Sequence, residues 1–276
     1  MKMKFIETII AILVAVIALF SIEGCKKPTT RKIVIKGSTT VLPITQRAVE
    51  VYRMKNKISI SVEGSGSGNG IKAIIDGSCD IANSSREMSK GEVAKAKKKG
   101  VNVKEIAVAY DMIVPIVNLK NKVTNLTMAQ LKGIYDGSIK NWKEVGGEDA
   151  TIVVISRDTS SGTYEVWEKK VMKKARIRKD ALLQASNGTI QATVASNRKA
   201  IGYIGYGYLN KTVKTLKVDG VIGTIENGKS GKFPVSRKLY MYVNKDKISK
   251  DTQDFVAFIL GTEGQKLVKE VGYIPL

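Results

Sequence analysis

Three short clusters of Ser, Thr and Gly constrain the fold most strongly, because each lies where a strand-like segment ends and a helix-like segment begins. They occupy residues 37–40, 64–70 and 157–163. The first turn of a helix has backbone N–H groups without partners and the positive end of the helix dipole, and Gly lets a ligand approach the backbone closely. Together the three junctions predict an oxyanion site built from helix N-termini, with Arg157 as its charged fork.

The alternation of strand-like and helix-like segments predicts an α/β protein. Strand-like runs at 33–35, 58–62 and 80–82 are each followed by helical spacing, and the same order returns after 152–155. Such alternation is typical of a mostly parallel sheet with helices on both faces, in which ligands lie at the carboxyl ends of the strands. Because no low-complexity linker separates the two α/β units, we expect two lobes with a cleft between them.

The composition excludes several classes of chemistry. The 276 residues include no histidine and only two cysteines, Cys25 and Cys79. Ser-His-Asp and Cys-His catalysis are therefore ruled out, together with most zinc sites, and we expect neither a metal nor a cofactor. Cys79 is interpreted as a small core residue. An enzyme that cleaves phosphoesters, with Ser161 or Ser38 as nucleophile, is kept as an alternative.

The net charge of +21 comes from 46 basic and 25 acidic residues. The basic residues concentrate at 95–99 and 169–179, in segments with helical spacing, where lysines form a solvated face. We therefore expect no nucleic-acid partner, and keep a surface protein that binds polyanions as a further alternative.

The N-terminus has the pattern of an export signal. Lys2 and Lys4 precede an apolar run at 9–20 that is short for a membrane span, and Cys25 follows a small residue, as at a lipid-attachment site. Glu23 departs from the residue usual at that place, so an uncleaved anchor helix is the alternative. Residues 1–24 are predicted to be a signal peptide or anchor and 25–31 a tether, with the folded part held at the outer face of the cell membrane.

The motifs resemble the phosphate-binding components of ATP-driven phosphate transporters, which belong to the two-lobed periplasmic-type binding proteins. The resemblance covers nearly the whole mature chain and rests on residues 37–43, 65–71, 80–86, 157–163 and 200–203. It implies a type II binding-protein fold, in which each lobe is a mixed, mostly parallel sheet flanked by helices and two crossing strands form the hinge. We expect lobe 1 at 32–110 and 206–276, and lobe 2 at 111–205.

The same resemblance implies a monomer without catalytic activity that binds inorganic phosphate and delivers it to an ABC permease for import; a sensing role is left open. By motif position its ligand residues are Ser38, Thr39, Thr40, Ser67, Gly68, Ser85, Arg86, Arg157, Ser161, Gly162 and Thr163.

The residue that accepts the phosphate proton should decide specificity. The best-known branch of the family carries Asp in the third loop, where this chain has Ser85-Arg86, so we expect Asp111 to be the acceptor, ahead of Asp158 and Asp80. A buried carboxylate accepts a bond from hydrogen phosphate and leaves sulfate facing a like charge. A pocket without an acceptor would favour the first alternative, a binding protein for sulfate, molybdate or tungstate.

Overall fold

Strands and helices alternate through most of residues 32–276, the part of the chain that the structure, a computed structural model, describes. The predicted signal or anchor segment, the tether and Cys25 lie outside it. The strands are β1 (Lys32–Gly37), β2 (Ser59–Gly64), β3 (Ile81–Ser84), β4 (Val103–Asn118), β5 (Asn125–Leu126), β6 (Val153–Arg157), β7 (Leu182–Gln184), β8 (Ala200–Gly205), β9 (Val213–Thr215), β10 (Lys217–Val218) and β11 (Ser236–Asn244).

The α-helices of the described residues have the following bounds. They are α1 (Leu42–Lys55), α2 (Ser67–Ile75), α3 (Lys90–Lys98), α4 (Met128–Asp136), α5 (Gly162–Lys170), α6 (Asn187–Ser196), α7 (Ile225–Lys229), α8 (Lys250–Leu260) and α9 (Thr262–Glu270). Within residues 32–276, none of the helices has the length and apolar character needed to span a bilayer.

One path of paired strands runs through the molecule, in the order β2-β1-β3-β11-β4-β8-β6-β7, with β9 beside β4. Strand β1 is parallel to β2 and β3, and β6 is parallel to β7 and β8. Strand β11 is antiparallel to β3 and β4, and β4 is antiparallel to β8. The predicted α/β class with mixed sheets is confirmed.

Apolar side chains form separate cores toward the two ends of this path. Strand β4 contributes Val108 and Ala109 to the first core, and Met112, Ile113 and Val114 to the second. The chain passes back from the second core to the first at the start of β11, since Val235 belongs to the second core and Leu239 to the first. The chain therefore passes from one core to the other along two strands. Cys79 is buried in an adjoining cluster, as predicted, and burial raises the pKa of its thiol to about 12.

Residues that follow position 205, the expected end of lobe 2, pack with the second core. Val213, Leu216 and Phe233 pack in the second core, and β9 pairs with the end of β4. Strands β9 and β10 are only three and two residues long, too short for a periodic pattern that would have indicated where they pack. We therefore propose that lobe 1 comprises 32–110 and 236–276, and lobe 2 comprises 111–235.

Candidate functional site

The amino ends of four helices meet at one place. Helices α1, α2, α5 and α6 each follow the carboxyl end of a parallel strand, namely β1, β2, β6 and β7. Thr40 Oγ1 lies 2.9 Å from Thr163 Oγ1 at the start of α5 and 3.0 Å from Asn187 Nδ2 at the start of α6. The N–H groups of a first helical turn lack partners within the helix, so the four ends give this place a positive potential.

Glycines bring the second cluster against the third. The Gly68 N–H donates to Ser160 O at 3.0 Å. Gly66 has a φ of +99°, and a Cβ there would lie 2.5 Å from Ser160 Oγ. A Cβ on Gly162 would overlap the side chain of Ser67. Because a larger residue would hold these loops apart, the glycines are what allow the start of α2 to touch the start of α5.

Arg157 is a buried cation without a carboxylate partner. The residue is 1% exposed. Its Nε donates to Gln184 O at 3.1 Å, and its Nη2 donates to Ala185 O at 2.9 Å and to Thr39 Oγ1 at 3.2 Å. Its Nη1 is buried and has no hydrogen-bond partner in the described part of the chain. Burial lowers the pKa of Arg157, and Asp158 opposes that effect from a distance. The guanidinium therefore lacks both a counter-charge and one acceptor.

Backbone and tyrosine contacts fix the first loop. Ser38 Oγ accepts a hydrogen bond from the Thr40 N–H at 3.1 Å. The hydroxyl of Tyr208 donates to Thr39 O at 2.6 Å, and the hydroxyl of Tyr273 donates to Thr40 O at 2.5 Å. Burial raises the pKa of Tyr208 to about 12, so its hydroxyl keeps its proton and remains a donor. The loop that carries these hydroxyls is thus held rigidly at the site.

Asp111, the predicted proton acceptor, is fully buried beside the site and bonded to Arg237. Its Oδ2 accepts from Arg237 Nε at 2.9 Å and Nη2 at 2.8 Å, and its Oδ1 accepts from the Tyr206 N–H at 2.9 Å. Arg237 Nη1 donates to Thr163 Oγ1 at 3.1 Å and to Ser85 O at 3.3 Å. Burial raises the pKa of the Asp111 carboxyl, and Arg237 opposes that rise. Asp111 reaches the predicted ligand residues through Arg237, and its acceptor role stays a prediction.

Arg86, predicted to be a ligand residue, directs its guanidinium to two carboxylates. Its side chain is 9% exposed. Nη1 and Nη2 each donate to Glu92 at 2.8 Å, and Nε lies 2.7 Å from an oxygen of Glu165. The neighbouring Ser85 N–H donates to Ser67 Oγ at 3.1 Å and so joins the third loop to the second. The structure therefore places Ser85 among the other predicted residues, whereas the charge of Arg86 is already compensated.

The remaining predicted residues occupy local structural positions. Ser161 is the N-cap of α5, and its side chain accepts a backbone hydrogen bond within the first turn. Asp158 Oδ1 accepts from the Ser160 N–H at 2.9 Å, and Asp80 Oδ2 accepts from the Val34 N–H at 2.7 Å. Both alternative acceptors are thus bonded to their own surroundings.

Substituting Glu165 with Gln should stabilise the protein at neutral pH. Burial raises the pKa of Glu165, with Arg86 opposing, whereas Arg86 and Ser89 lower the pKa of Glu92 in spite of burial. A raised pKa means that folding favours the protonated form of Glu165. The free energy of unfolding of the wild type is therefore lower at pH 7 than at a pH low enough to protonate this carboxyl. A neutral Gln removes that difference at every pH.

We expect Glu165→Gln to raise the thermal midpoint by about 1–3 °C at pH 7. The gain should vanish below pH of about 4, where an ordinary glutamate is protonated. Thermal unfolding at both pH values measures it, with Glu168→Gln on the same helix as the control. A fall in the midpoint at pH 7 would show instead that the bond from Arg86 outweighs the burial of Glu165.

Sequence reasoning missed two residues at the site, Asn187 and Arg237. Asn187 opens α6 within Ser186-Asn187-Gly188-Thr189, a cluster of the same kind as the three that were recognised. The sequence therefore contained a local signal that could have identified Asn187. Arg237 stands at the start of β11 with no local pattern around it, and it reaches Asp111 only because the two residues are opposite each other in the β11–β4 pair.

Comparisons with known proteins agree with this architecture. The family model of the PBP superfamily domain matches residues 26–263. The phosphate-binding protein PstS of Borreliella burgdorferi is 32% identical over 97% of this chain and 98% of its own length. The PstS of Staphylococcus saprophyticus is 34% identical over 87% of this chain and 79% of its own length.

Solved structures show the same two-lobed fold. A Clostridium perfringens protein, named as a phosphate ABC transporter substrate-binding protein and solved with bound phosphate, has a TM-score of 0.84 and 35% identity over 89% of this chain and 100% of its own. An ABC-type phosphate transport receptor of Vibrio cholerae has a TM-score of 0.74 and 33% identity over 88% of this chain and 100% of its own. The chain therefore belongs to the PBP superfamily and, within it, to the family of PstS phosphate-binding proteins.

Proposed function

We propose that this protein binds inorganic phosphate between its two lobes and delivers it to an ABC permease for import. The observation that carries the proposal is Arg157, buried where four helix N-termini meet, with one nitrogen unpartnered and no carboxylate of residues 32–276 in an ion pair with it. A buried charge without a counter-charge costs several kcal/mol. A tetrahedral oxyanion supplies that counter-charge and accepts hydrogen bonds from the guanidinium fork.

The proposed ligand residues belong to the loops that hydrogen bonds link to Arg157 and to one another. Ser38, Thr39 and Thr40 contribute from the first loop, and Ser161, Gly162 and Thr163 from the start of α5. We propose that Ser67, Gly68 and Ser85 complete the site through the contacts that join their loops to it. For Arg86 we propose a supporting electrostatic role, because both of its terminal nitrogens already bind Glu92.

The setting of the protein is inferred from its relatives and its N-terminus. The names of the relatives from Clostridium perfringens and Vibrio cholerae support a receptor that serves an ABC permease. We propose that it acts as a monomer outside the cell membrane, tethered through Cys25 or an uncleaved anchor. We also propose that it has no catalytic activity. In support, the chain contains no histidine, and residues 32–276 contain no cluster of three or more Cys, Asp or Glu side chains that could hold a metal ion. Turnover of a chromogenic phosphoester tests this point.

Calorimetric titration with phosphate tests the binding function. The donors gathered at the site, each worth roughly 1.5–3 kcal/mol toward a charged group before desolvation costs, lead us to expect a Kd of about 1 μM or tighter. Titrations with sulfate and molybdate follow under the same conditions. An absence of phosphate binding would contradict the proposal.

A receptor that accepts sulfate as well is the second candidate. The observation that favours it is the engagement of Asp111, whose carboxylate already accepts three N–H bonds from Arg237 and Tyr206. Rejection of sulfate needs an acceptor or negative charge facing the ligand. Sulfate binding within about tenfold of phosphate would support the second candidate, and a preference for phosphate of a thousandfold or more would exclude it.

A further inference from the structure

We propose that Asn187 and Arg237 are positioning residues, which turn the hydroxyl protons of the threonines at the site outward, toward the anion. The inference rests on the proposed phosphate function and deepens it, because it states what kind of ligand atom this face accepts. It rests on the donors and lone pairs that the side chains at the site already use in hydrogen bonds to one another.

The orientation of the Asn187 amide is fixed by its surroundings. Its Oδ1 accepts from the Gly205 N–H at 3.1 Å, and a backbone N–H can only donate. The NH₂ group must therefore face the first loop, where Nδ2 lies 3.0 Å from Thr40 Oγ1 and 3.4 Å from Thr39 Oγ1. Asn187 is fully buried, so no water competes for these bonds. Toward the threonines it acts as a donor only.

Thr39 has no lone pair left to accept a further bond. Its Oγ1 accepts from Arg157 Nη2 at 3.2 Å and from Asn187 Nδ2 at 3.4 Å. A hydroxyl has two acceptor lone pairs and one proton, so the remaining capacity of Thr39 is its proton. Ser38 is in the same position, since its Oγ accepts from the N–H groups of Thr40 and Val41 at 3.1 and 3.4 Å.

Thr40 and Thr163 share a bond and keep one proton free. Their hydroxyl oxygens are 2.9 Å apart, so one donates to the other. Thr40 Oγ1 also accepts from Asn187 Nδ2, and Thr163 Oγ1 also accepts from Arg237 Nη1 at 3.1 Å. Neither the amide nitrogen nor the guanidinium can accept a proton in return. The second hydroxyl proton of the pair is therefore available to a ligand, together with one lone pair on the hydroxyl that donates within the pair.

The hydroxyl face thus offers three protons, those of Ser38, Thr39 and one member of the Thr40–Thr163 pair, against one free lone pair, so it favours ligand oxygens that carry no proton. Hydrogen phosphate and sulfate both present such oxygens. The donors bind both anions alike, and the one lone pair is the only group among these four hydroxyls that can accept the proton of hydrogen phosphate. Asn187 and Arg237 make this arrangement without needing to touch the ligand, which is why they are positioning residues.

A double-substitution cycle tests the inference with phosphate as the probe. The full-length protein is titrated as wild type, Asn187→Ala, Thr40→Val and the double variant. We expect Asn187→Ala to weaken the Kd about tenfold in the wild-type background, the order of one hydrogen bond to a charged group. In the Thr40→Val background it should weaken the Kd by less than about threefold, because the nearer of the two hydroxyls on which it acts is gone and only the longer bond to Thr39 remains.

The outcomes separate the inference from the proposed function. Equal losses in both backgrounds would mean that Asn187 serves only to hold the backbone at Gly205, and would overturn the inference while phosphate binding stands. An absence of phosphate binding in the wild type would overturn both. Asn197→Ala, at the other end of α6, is the matched control and should leave the Kd unchanged in either background. If Asn187→Ala does not fold, Asn187→Ser takes its place in the cycle. Equal losses of affinity in the two backgrounds would again overturn the inference, and a smaller loss in the Thr40→Val background would support it.

Discussion

Substituting Arg157 with Met should weaken phosphate binding by about a hundredfold to ten-thousandfold. The guanidinium is the buried positive charge at the site, and its Nη1 has no partner among the described residues. Hydrogen bonds to a charged group are worth roughly 1.5–3 kcal/mol each, and a fork that makes two of them accounts for the expected loss. Met preserves much of the side chain's apolar stem, so packing should change little. Calorimetric titration with phosphate measures the effect.

The same variant should leave the ligand-free protein almost as stable as the wild type. Removing one partner of a buried ion pair usually costs about 3–5 kcal/mol, because the other charge is left uncompensated. Arg157 has no such partner in residues 32–276, so its removal takes a donor from two carbonyls and a hydroxyl but also relieves an uncompensated buried charge, and the two effects oppose each other. We expect a change in the free energy of unfolding of about 1 kcal/mol or less, with complete loss of the stabilisation that phosphate gives the wild type.

Thermal unfolding with and without phosphate tests this second part, with the exposed Arg198→Met as control. A loss of 3 kcal/mol or more in the absence of phosphate would show that Arg157 has mainly a structural role.

Substituting Asp111 with Asn should destabilise the fold by about 3–5 kcal/mol, because the cost of leaving Arg237 buried without its counter-charge outweighs the gain from no longer burying the Asp111 carboxylate. The Arg237 side chain is 4% exposed, and its Nε and Nη2 both donate to one oxygen of Asp111. An Asn side chain at position 111 places its NH₂ group either against the Arg237 donors or against the Tyr206 N–H. In either orientation, donors face each other without an acceptor. Chemical denaturation measures the loss. The double variant with Arg237→Gln should recover part of it, since the unpaired charge is then removed.

Titration of Asp111→Asn with phosphate and sulfate also decides the role predicted from sequence. If the carboxylate accepts the phosphate proton, the ratio of phosphate to sulfate affinity should fall by about a hundredfold or more. If Asp111 only holds Arg237 in place, both affinities should change together and the ratio should stay the same. An equal change would therefore contradict the predicted acceptor role.

Local sequence patterns predicted features that depend on adjacent residues, such as the starts of helices. They missed contacts between residues that are far apart in the sequence. The clusters around Ser38, Ser67 and Ser161 each open a helix where expected, because capping and glycine conformation are properties of a few adjacent residues. The spacing of Trp167, Val171 and Ala175 predicts a helix that continues past Lys170. The helix ends there instead, before two residues with positive φ, and no cap or glycine marks that end in the sequence.

Contacts between distant segments left no local trace. The bond between Asp111 and Arg237 joins residues 126 positions apart, through the register of two antiparallel strands. The compensation of Arg86 depends likewise on Glu165 from another helix. The recognised motif of residues 80–86 indicated that Arg86 lies near the site, but the direction of its side chain is set by carboxylates that the motif does not contain.

Strand β11 lies between β3 and β4, and this placement sets the order in which the molecule can be completed. Until residues 236–244 are made, one edge of β3 and one edge of β4 have no neighbour, and unpaired strand edges are prone to bind other chains. The second core is built almost entirely from one continuous stretch, 112–235, and can form earlier. A chain of this design should therefore fold its middle first, and its first third must wait for its last third.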